Sequence, residues 1–217
     1  MSTQEQGVFI SFEGIDGAGK SSHIDALAEQ FRRDGRRVTV TREPGGTPLA
    51  EQLRELVLRQ PMDSLTEAML VFAARRDHVV RVIVPGLQRG DVVISDRFTD
   101  SSFAYQGGGQ GLSAAVLQQL ERWVQHDAAA GDGELLQPDL TLWFDLPPSQ
   151  AAQRLAQARS PDRFEARGED FFGRVRDAYA ARARAAPARF VCIDAAAARE
   201  DVWQAVSTAV RARGWMA

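Results

Sequence analysis

The residues with the clearest chemical potential run from Gly14 to Ser21, Gly-Ile-Asp-Gly-Ala-Gly-Lys-Ser. They match the pattern G-x-x-x-x-G-K-[ST] without a gap, and they lie between an apolar run and a helical pattern, the context that this motif requires. The backbone N–H groups of such a loop surround phosphate oxygens, and the dipole of the following helix favours the same anion. Lys20 would reach the β- and γ-phosphates of a nucleotide, and the Ser21 hydroxyl would bind Mg²⁺. The predicted nucleotide-binding residues are Gly14, Ile15, Asp16, Gly17, Ala18, Gly19, Lys20, Ser21 and Ser22.

The basic residues of the chain are unusually biased. Of 26 lysines and arginines, Lys20 is the only lysine, and the chain contains no asparagine. Such a bias replaces Lys by Arg wherever charge alone is needed, so position 20 requires an ammonium group rather than a guanidinium. The guanine-reading sequence Asn-Lys-x-Asp of GTPases is excluded. The small size and a late arginine-rich segment favour a small-molecule kinase.

Composition limits the remaining classes. The chain has 217 residues, a net charge of −3, one cysteine and three dispersed histidines. We therefore predict one domain over residues 1–217, with no disulfide framework, no thiolate zinc site and no broad nucleic-acid-binding surface. A short polar N-terminus and the lack of an apolar run of roughly 20 residues predict a cytoplasmic protein without a membrane span.

Strands alternate with helices along the chain, which predicts an α/β fold: a three-layer P-loop sandwich around a five-stranded, mainly parallel sheet. The predicted strands cover 8–12, 38–41, 91–95, 140–146 and 190–193. The predicted helices cover 21–34, 49–57, 64–87 with an interruption near Pro85, 116–124, 151–158, 171–184 and 202–210. The glycines at 107–109 predict a flexible loop, Cys192 a buried thiol, and the four tryptophans packing residues.

Charged residues follow the predicted strands where each one ends. Strand two leads into Arg42 and Glu43, strand three into Asp96 and Arg97, and strand four into Asp145. Ligands of open parallel sheets bind outside the carboxyl ends of the strands. Asp96 follows an apolar strand, as the Mg²⁺-binding carboxylate of many P-loop enzymes does, and Arg97 suits a second phosphate. Transfer of a phosphoryl group between two anions needs such positive charge.

Six motifs occur in order from the N-terminal strand to the late arginine-rich segment. They are Phe12-Glu13-Gly14-Ile15-Asp16-Gly17-Ala18-Gly19-Lys20-Ser21, Thr41-Arg42-Glu43-Pro44-Gly45-Gly46, Phe72-Ala73-Ala74-Arg75, Asp96-Arg97-Phe98, Ala104-Tyr105-Gln106-Gly107-Gly108-Gly109 and Asp162-Arg163-Phe164-Glu165. With these motifs the chain resembles the thymidylate kinase family, in the form with an arginine-bearing lid. The resemblance implies transfer of the γ-phosphoryl group of ATP to dTMP, with Mg²⁺ as cofactor, and a homodimer.

The resemblance also implies roles on the acceptor side. Asp16 would bind the 3′-hydroxyl of the acceptor sugar, and Tyr105 would pack against the sugar ring. Arg42, Arg54 and Arg97 would bind the acceptor 5′-phosphate.

For the thymine base, the resemblance implies that Ser102 and Gln106 contact its polar edge. The base-contacting arginine is either Arg75 or Arg76. We favour Phe72 as the stacking residue with Arg75, although one alignment puts Val71 at the stacking position.

The remaining implied roles concern the metal and the lid. Glu43 and Asp96 would lie near Mg²⁺ together with Ser21. The arginines of a lid at about 154–168 would supply transition-state charge, with Arg159 and Arg163 favoured. The catalytic set is Lys20, Arg97, Arg159, Arg163 and Asp16.

Two other functions stay open from the residues alone. One is a kinase for another nucleoside monophosphate or for a deoxynucleoside. The other is a regulatory module that binds nucleotide without turnover.

Overall fold

A computed structural model of the chain describes residues 6–126, 135–156 and 167–216. Five parallel strands form its sheet in the order β2-β3-β1-β4-β5. They are β1 (Val8–Glu13), β2 (Val38–Arg42), β3 (Val92–Asp96), β4 (Leu140–Asp145) and β5 (Phe190–Asp194). The predicted α/β fold and the five predicted strands are confirmed.

The position of each strand follows from its apolar content. All of β1 is buried between its neighbours, and the first four residues of β3 are buried as well. Continuous apolar runs are typical of parallel strands covered on both faces. Strand β5 lies at the edge of the sheet, where Cys192 is exposed. The predicted burial of Cys192 is therefore wrong, because an edge strand is covered less completely than a central one.

Helices cover both faces of the sheet. They are α1 (Lys20–Arg33), α2 (Pro48–Arg59), α3 (Ser64–His78), α4 (Val84–Gln88), α5 (Thr99–Ser102), α6 (Ala114–Gln125), α7 (Pro148–Ala156), α8 (Glu169–Ala185) and α9 (Arg199–Arg211), with π-helical segments π1 (Val79–Ile83) and π2 (Phe103–Gly109). The Thr47 hydroxyl and the Asp63 carboxylate accept hydrogen bonds from the first turns of α2 and α3, which fixes where these helices begin. The predicted interruption of the long helix falls at π1, directly before α4, which contains Pro85 in its first turn.

Segment π2 is helical and packed, so the prediction of a flexible loop at 107–109 is wrong. A Cβ atom on Gly108 would lie 2.6 Å from the Ala178 Cβ and 2.7 Å from the Arg174 carbonyl oxygen. A Cβ atom on Gly109 would lie 2.5 Å from the ring of Phe171. The glycines therefore allow α8 to approach π2 closely, and this contact holds the side chains that π2 carries.

The tryptophans divide between core and surface. Trp143 is buried, and Trp203 and Trp215 pack against the main core. Trp123 is 69% exposed, so the packing role predicted for it is wrong. Within the described ranges, no helix is both long and apolar enough to cross a bilayer. The cytoplasmic location stays a prediction, as does the single domain.

Candidate active site

The loop between β1 and α1 has the backbone that phosphate binding requires. Gly14 has φ 134°, and a Cβ atom there would lie 2.5 Å from the Phe144 carbonyl oxygen. Gly17 and Gly19 also have positive φ, in the region where only glycine is unstrained. The Lys20 Nζ donates to the carbonyl oxygens of Gly14 and Ile15, both at 3.2 Å. Burial, and then the positive charge of Arg97, lower the pKa of Lys20.

A groove beside this loop, here called the P-loop groove, lies at the carboxyl ends of β2 and β3. Its polar lining comprises Ser21, Asp25, Thr41, Arg42, Glu51 and Asp96. The Asp96 Oδ1 is buried and has no hydrogen-bond partner among the described residues. An unpartnered carboxylate oxygen in the same groove as the Ser21 hydroxyl fits Mg²⁺, which prefers oxygen ligands and needs few from the protein. The described residues contain no group of three or more His, Cys, Asp or Glu that could hold a metal by themselves.

A second cavity, here called the central pocket, has Asp16 of the phosphate loop in its lining. Its lining is Asp16, Glu43, Pro44, Arg54, Val57, Leu58, Val71, Arg75, Arg97, Phe98, Ser101, Ser102, Tyr105 and Gln106. It contains about 670 Å³ of empty space, its open mouth included. Apolar side chains with a few convergent polar groups line this space, which is typical of sites for small molecules.

Arg97 connects the central pocket to the P-loop. Its Nη2 donates to Asp16 Oδ1 at 2.8 Å and to the Tyr105 hydroxyl at 3.0 Å. Its Nη1 donates to the Tyr179 hydroxyl at 3.2 Å. Arg97 is the one non-glycine residue with positive φ (70°) in the described part of the chain. Such strain persists only where the surroundings impose it, and it concentrates at functional sites.

The pair of Asp16 and Arg97 fixes the charge at this junction. Burial alone would raise the pKa of the Asp16 carboxyl, but the charges of Arg97 and Lys20 lower it to about 2. The Tyr105 hydroxyl also donates to Asp16 Oδ2 at 3.3 Å. Asp16 is therefore an ionised acceptor at neutral pH.

The charges of three arginines, Arg42, Arg54 and Arg97, interact near this end of the pocket. Burial, and the positive charges of Arg42 and Arg97, lower the pKa of Arg54. Arg54 Nη1 donates to the Pro44 carbonyl oxygen at 2.9 Å. Arg42 does not line the central pocket: it is half-exposed at the P-loop groove, where its Nη2 lies 2.9 Å from Glu51 Oε2. The structure thus puts Arg54 and Arg97 in the pocket and Arg42 at its border.

Glu43 is enclosed by two basic side chains. Its Oε2 accepts from Arg75 Nε at 2.7 Å, and its Oε1 lies 2.8 Å from His78 Nδ1. Burial would raise the pKa of this carboxyl, but Arg75 and His78 lower it. Both oxygens are engaged, and Glu43 does not line the P-loop groove that contains Ser21 and Asp96. The expected place of Glu43 beside Mg²⁺ is therefore corrected: this carboxylate holds Arg75.

The two candidate base-contacting arginines point in different directions. Arg75 is buried in the central pocket, donates through Nη2 to Ser102 Oγ at 2.9 Å, and has a buried Nη1 without a partner among the described residues. Arg76 is exposed and donates to the Val124 carbonyl oxygen on α6. Of these two arginines, Arg75 is therefore the one that lines the pocket.

The favoured stacking residue, Phe72, does not reach the pocket. It is fully buried in a cluster with Phe103 and Leu117, and the Arg75 guanidinium lies 4.5 Å from its ring centre. Val71 lines the pocket instead. Residues four apart lie on the same face of a helix, so Val71 shares the pocket face with Arg75 while Phe72 turns toward α6. The structure thus puts the alternative residue, Val71, in the lining of the pocket and the favoured residue, Phe72, in the core.

The opposite wall comes from α5 and π2. Ser102, Tyr105 and Gln106, to which the resemblance assigned contacts with the acceptor, all line the pocket. Gln106 Nε2 donates to Glu67 Oε1 on α3 at 2.8 Å. This side of the pocket therefore presents polar side chains, while Val57, Leu58 and Val71 contribute apolar surface to the lining.

Comparisons with known proteins agree with this geometry. The family model described as thymidylate kinase matches residues 12–206. This chain belongs to the thymidylate kinase family. The thymidylate kinase of Albidiferax ferrireducens is 61% identical over 211 residues, which cover 97% of this chain and 98% of the relative. That of a Polaromonas species is 58% identical over 97% of this chain and 99% of the relative. A crystal structure of thymidylate kinase from Ehrlichia chaffeensis superposes with a TM-score of 0.73 at 34% identity, over 95% of this chain and 99% of that one.

The lid expected of a thymidylate kinase is only partly described. Arg159 and Arg163 lie outside the described residues. Arg154 donates to the carbonyl oxygens of Gly17 in the P-loop and Ala195, at 3.4 and 3.1 Å. Arg167 lies over the ring of Phe171 on α8.

Sequence reasoning missed the buried groups around Glu13, which bind residues next to Arg97 and its partner Tyr179. The buried Glu13 carboxylate accepts from the Phe98 backbone N–H at 2.7 Å, the Ser101 hydroxyl at 2.5 Å and the Tyr179 hydroxyl at 3.0 Å. Burial, with the nearby charge of Asp100, raises the pKa of Glu13 to about 7. One signal was present: Tyr105 and Tyr179 are the only two tyrosines of the chain, and both contact Arg97.

Proposed function

We propose that this protein transfers the γ-phosphoryl group of ATP to dTMP, giving ADP and dTDP, with the central pocket as its dTMP site. The observation that carries the proposal is the layout of that pocket. Arg54 and Arg97 line it together with Asp16 of the P-loop, and Arg75, whose buried Nη1 has no partner among the described residues, lines it as well. Membership of the thymidylate kinase family supports this reaction.

The donor nucleotide occupies the P-loop in this proposal. Lys20 and the backbone N–H groups of residues 14–22 bind its phosphates. Ser21 and Asp96 would hold Mg²⁺, whereas the oxygens of Glu43 are engaged by Arg75 and His78. When bound, the ion neutralises negative charge on the β- and γ-phosphates.

The acceptor dTMP occupies the central pocket, phosphate toward the P-loop. Arg54 and Arg97, with Arg42 at the border, bind its 5′-phosphate, because guanidinium groups match phosphate oxygens in pairs. Asp16, ionised between Arg97 and Lys20, accepts from the sugar hydroxyl, and Tyr105 packs against the sugar.

The base lies at the far end of the pocket. Arg75 donates to O4 of thymine, and Ser102 and Gln106 contact the rest of the polar edge of the base. Val71 and Phe98 contact the ring faces.

Positioning and charge supply most of the catalysis. The acceptor phosphate is already anionic, so no general base is required. The arginines hold its oxygen in line with the γ-phosphorus, and Lys20 stabilises the charge that develops on the transferred group. The lid arginines Arg159 and Arg163 are proposed to add charge as the site closes and to exclude water.

The test is ADP release in a coupled assay with ATP and Mg²⁺, with dTMP beside dUMP, dCMP, dGMP, AMP and thymidine. We expect turnover of dTMP well above the others, lost in Arg97→Ala and retained in Arg59→Ala, which removes a surface arginine that is 77% exposed. Preference for another monophosphate would overturn the base site. Turnover of thymidine would favour a deoxynucleoside kinase, and binding of ATP without acceptor-dependent turnover would favour a regulatory module.

We also propose a homodimer through α3 and α6. Leu65 and Met69 stand one turn apart on α3 and are 42% and 48% exposed, and Trp123 on α6 is 69% exposed. Exposed large apolar side chains on adjoining helices are typical of a protein interface. Light scattering should give the mass of two chains, and Trp123→Glu should shift it toward one. A monomeric wild type at micromolar concentration would refute this proposal.

A further inference from the structure

A buried carboxylate stands directly behind the base end of the central pocket. Glu67, on α3, is fully buried. Its Oε1 accepts from Gln106 Nε2 at 2.8 Å and from Gln110 Nε2 at 2.5 Å. Gln106 lines the pocket, whereas Glu67 does not.

This contact determines which way the Gln106 amide faces. A glutamine amide can present either its NH₂ group or its oxygen, and the two orientations are nearly equal in shape. Gln106 Nε2 donates to Glu67 Oε1, so the NH₂ end of the Gln106 amide faces Glu67. Gln110 donates to the same oxygen, which again demands an acceptor at that point. With Nε2 turned toward Glu67, Oε1 is the acceptor that the Gln106 amide retains for a molecule in the pocket.

We infer that Glu67 is a positioning residue that sets base selectivity by fixing the orientation of the Gln106 amide. The inference rests on the proposed function, because it requires the base of the acceptor nucleotide to lie in the central pocket. Thymine and uracil carry an N3–H donor beside the O4 acceptor. Gln106 Oε1 accepts from that N3–H, while Arg75 Nη1 donates to O4. Cytosine carries an acceptor at N3, so two acceptors would face each other.

The test is the isosteric variant Glu67→Gln. Its amide can donate as well as accept, so the Gln106 amide loses its single orientation. We expect kcat/KM for dTMP to fall and the dTMP:dCMP ratio of kcat/KM to fall about tenfold, the size of one well-placed hydrogen bond. The dTMP:dUMP ratio should not change, because both bases carry the same N3–H and O4. A dTMP:dCMP ratio within about twofold of wild type would overturn the inference.

Two further variants separate orientation from general disturbance of the buried cluster. Gln110→Met removes the other amide but leaves the bond between Glu67 and Gln106, so the dTMP:dCMP ratio should stay at its wild-type value. In a Gln106→Met background, Glu67→Gln should cause no further loss of selectivity. An additive loss there, or a loss in Gln110→Met equal to that in Glu67→Gln, would refute the positioning role.

The design also distinguishes failure of this inference from failure of the proposed function. A wild-type protein that does not turn over dTMP refutes the proposed function. A wild type that prefers dTMP, with a Glu67→Gln variant that keeps the full preference, refutes only the inference. Urea unfolding establishes that each variant is folded. If Glu67→Gln does not fold, Gln106→Met decides, because a wild-type dTMP:dCMP ratio in that variant overturns the inference.

Discussion

Arg75 and Arg76 are adjacent arginines on α3, so substitution of each by lysine provides a matched test of the pocket. Arg75→Lys keeps the positive charge but loses the planar guanidinium group. That group donates to Glu43 and to Ser102, and its Nη1 has no partner among the described residues. A hydrogen bond from a charged group contributes about 1.5–3 kcal/mol. At about 1.4 kcal/mol per tenfold change, loss of the Nη1 bond to the base lowers kcat/KM for dTMP about 10- to 100-fold. The broken contacts to Glu43 and Ser102 lower the free energy of unfolding by about 1–3 kcal/mol as well.

Arg76→Lys removes one bond, from Nη1 to the Val124 carbonyl oxygen at 2.9 Å, on an exposed side chain. Its free energy of unfolding should fall by about 1 kcal/mol or less, and its kcat/KM should stay within about twofold of wild type. Coupled ADP release at saturating ATP gives kcat/KM, and urea unfolding gives stability. The reasoning fails if folded Arg75→Lys loses less than about threefold, or if both variants lose the same activity.

Three further outcomes follow from the site and from π2. Arg97→Ala removes its bonds to Asp16 and Tyr105 and the guanidinium proposed to bind the acceptor phosphate, so kcat/KM for dTMP should fall about 100-fold or more in the ADP-release assay. A loss below tenfold would contradict the proposed phosphate contact of Arg97. The raised pKa of Glu13, about 7 against an ordinary 4.5, means that its proton stabilises the folded state fully below pH 4.5 and that this contribution is lost as pH rises through 7. Relative to Glu13→Gln, the wild type should therefore lose unfolding free energy over that window in urea titrations, whereas a difference independent of pH would refute the assignment. Gly108→Ala should lower the free energy of unfolding by about 1–3 kcal/mol, because the added Cβ meets α8. Gly173→Ala, with open space around its Cβ, should raise it by about 0.5–1 kcal/mol. Equal thermal shifts for the two variants would count against the close packing of π2.

The parts of the site that depend on local sequence were predictable. The phosphate loop joins β1 to α1 within a few residues, so its motif specifies both its backbone and its surroundings. The strands were predictable for a similar reason, because a continuous apolar run reports burial on both faces.

The parts that depend on distant packing were not predictable. Glu43 follows β2, but its partners Arg75 and His78 come from α3, and no spacing in the sequence reports that enclosure. The choice between Val71 and Phe72 depends on which face α3 turns to the pocket, and packing of α3 against α6 decides it. Glycines have a similar ambiguity: Gly108 and Gly109 permit close approach of α8, where sequence reasoning predicted flexibility.

The central place of β1 in the sheet has a consequence for synthesis of the protein. Val8 pairs with Val92 on one side, and Ile10 pairs with Leu140 on the other. The ribosome makes the phosphate loop well before Leu140, so the strand that supports this loop gains its second neighbour only after Leu140 has left the exit tunnel. Until then the apolar segment Val8–Phe12 has unpaired backbone on at least one edge, the kind of surface on which nascent chains aggregate. Pairing over such sequence distances is slow, so we expect the emerging N-terminal half to depend on a holding chaperone and to acquire nucleotide affinity only when the fourth strand arrives.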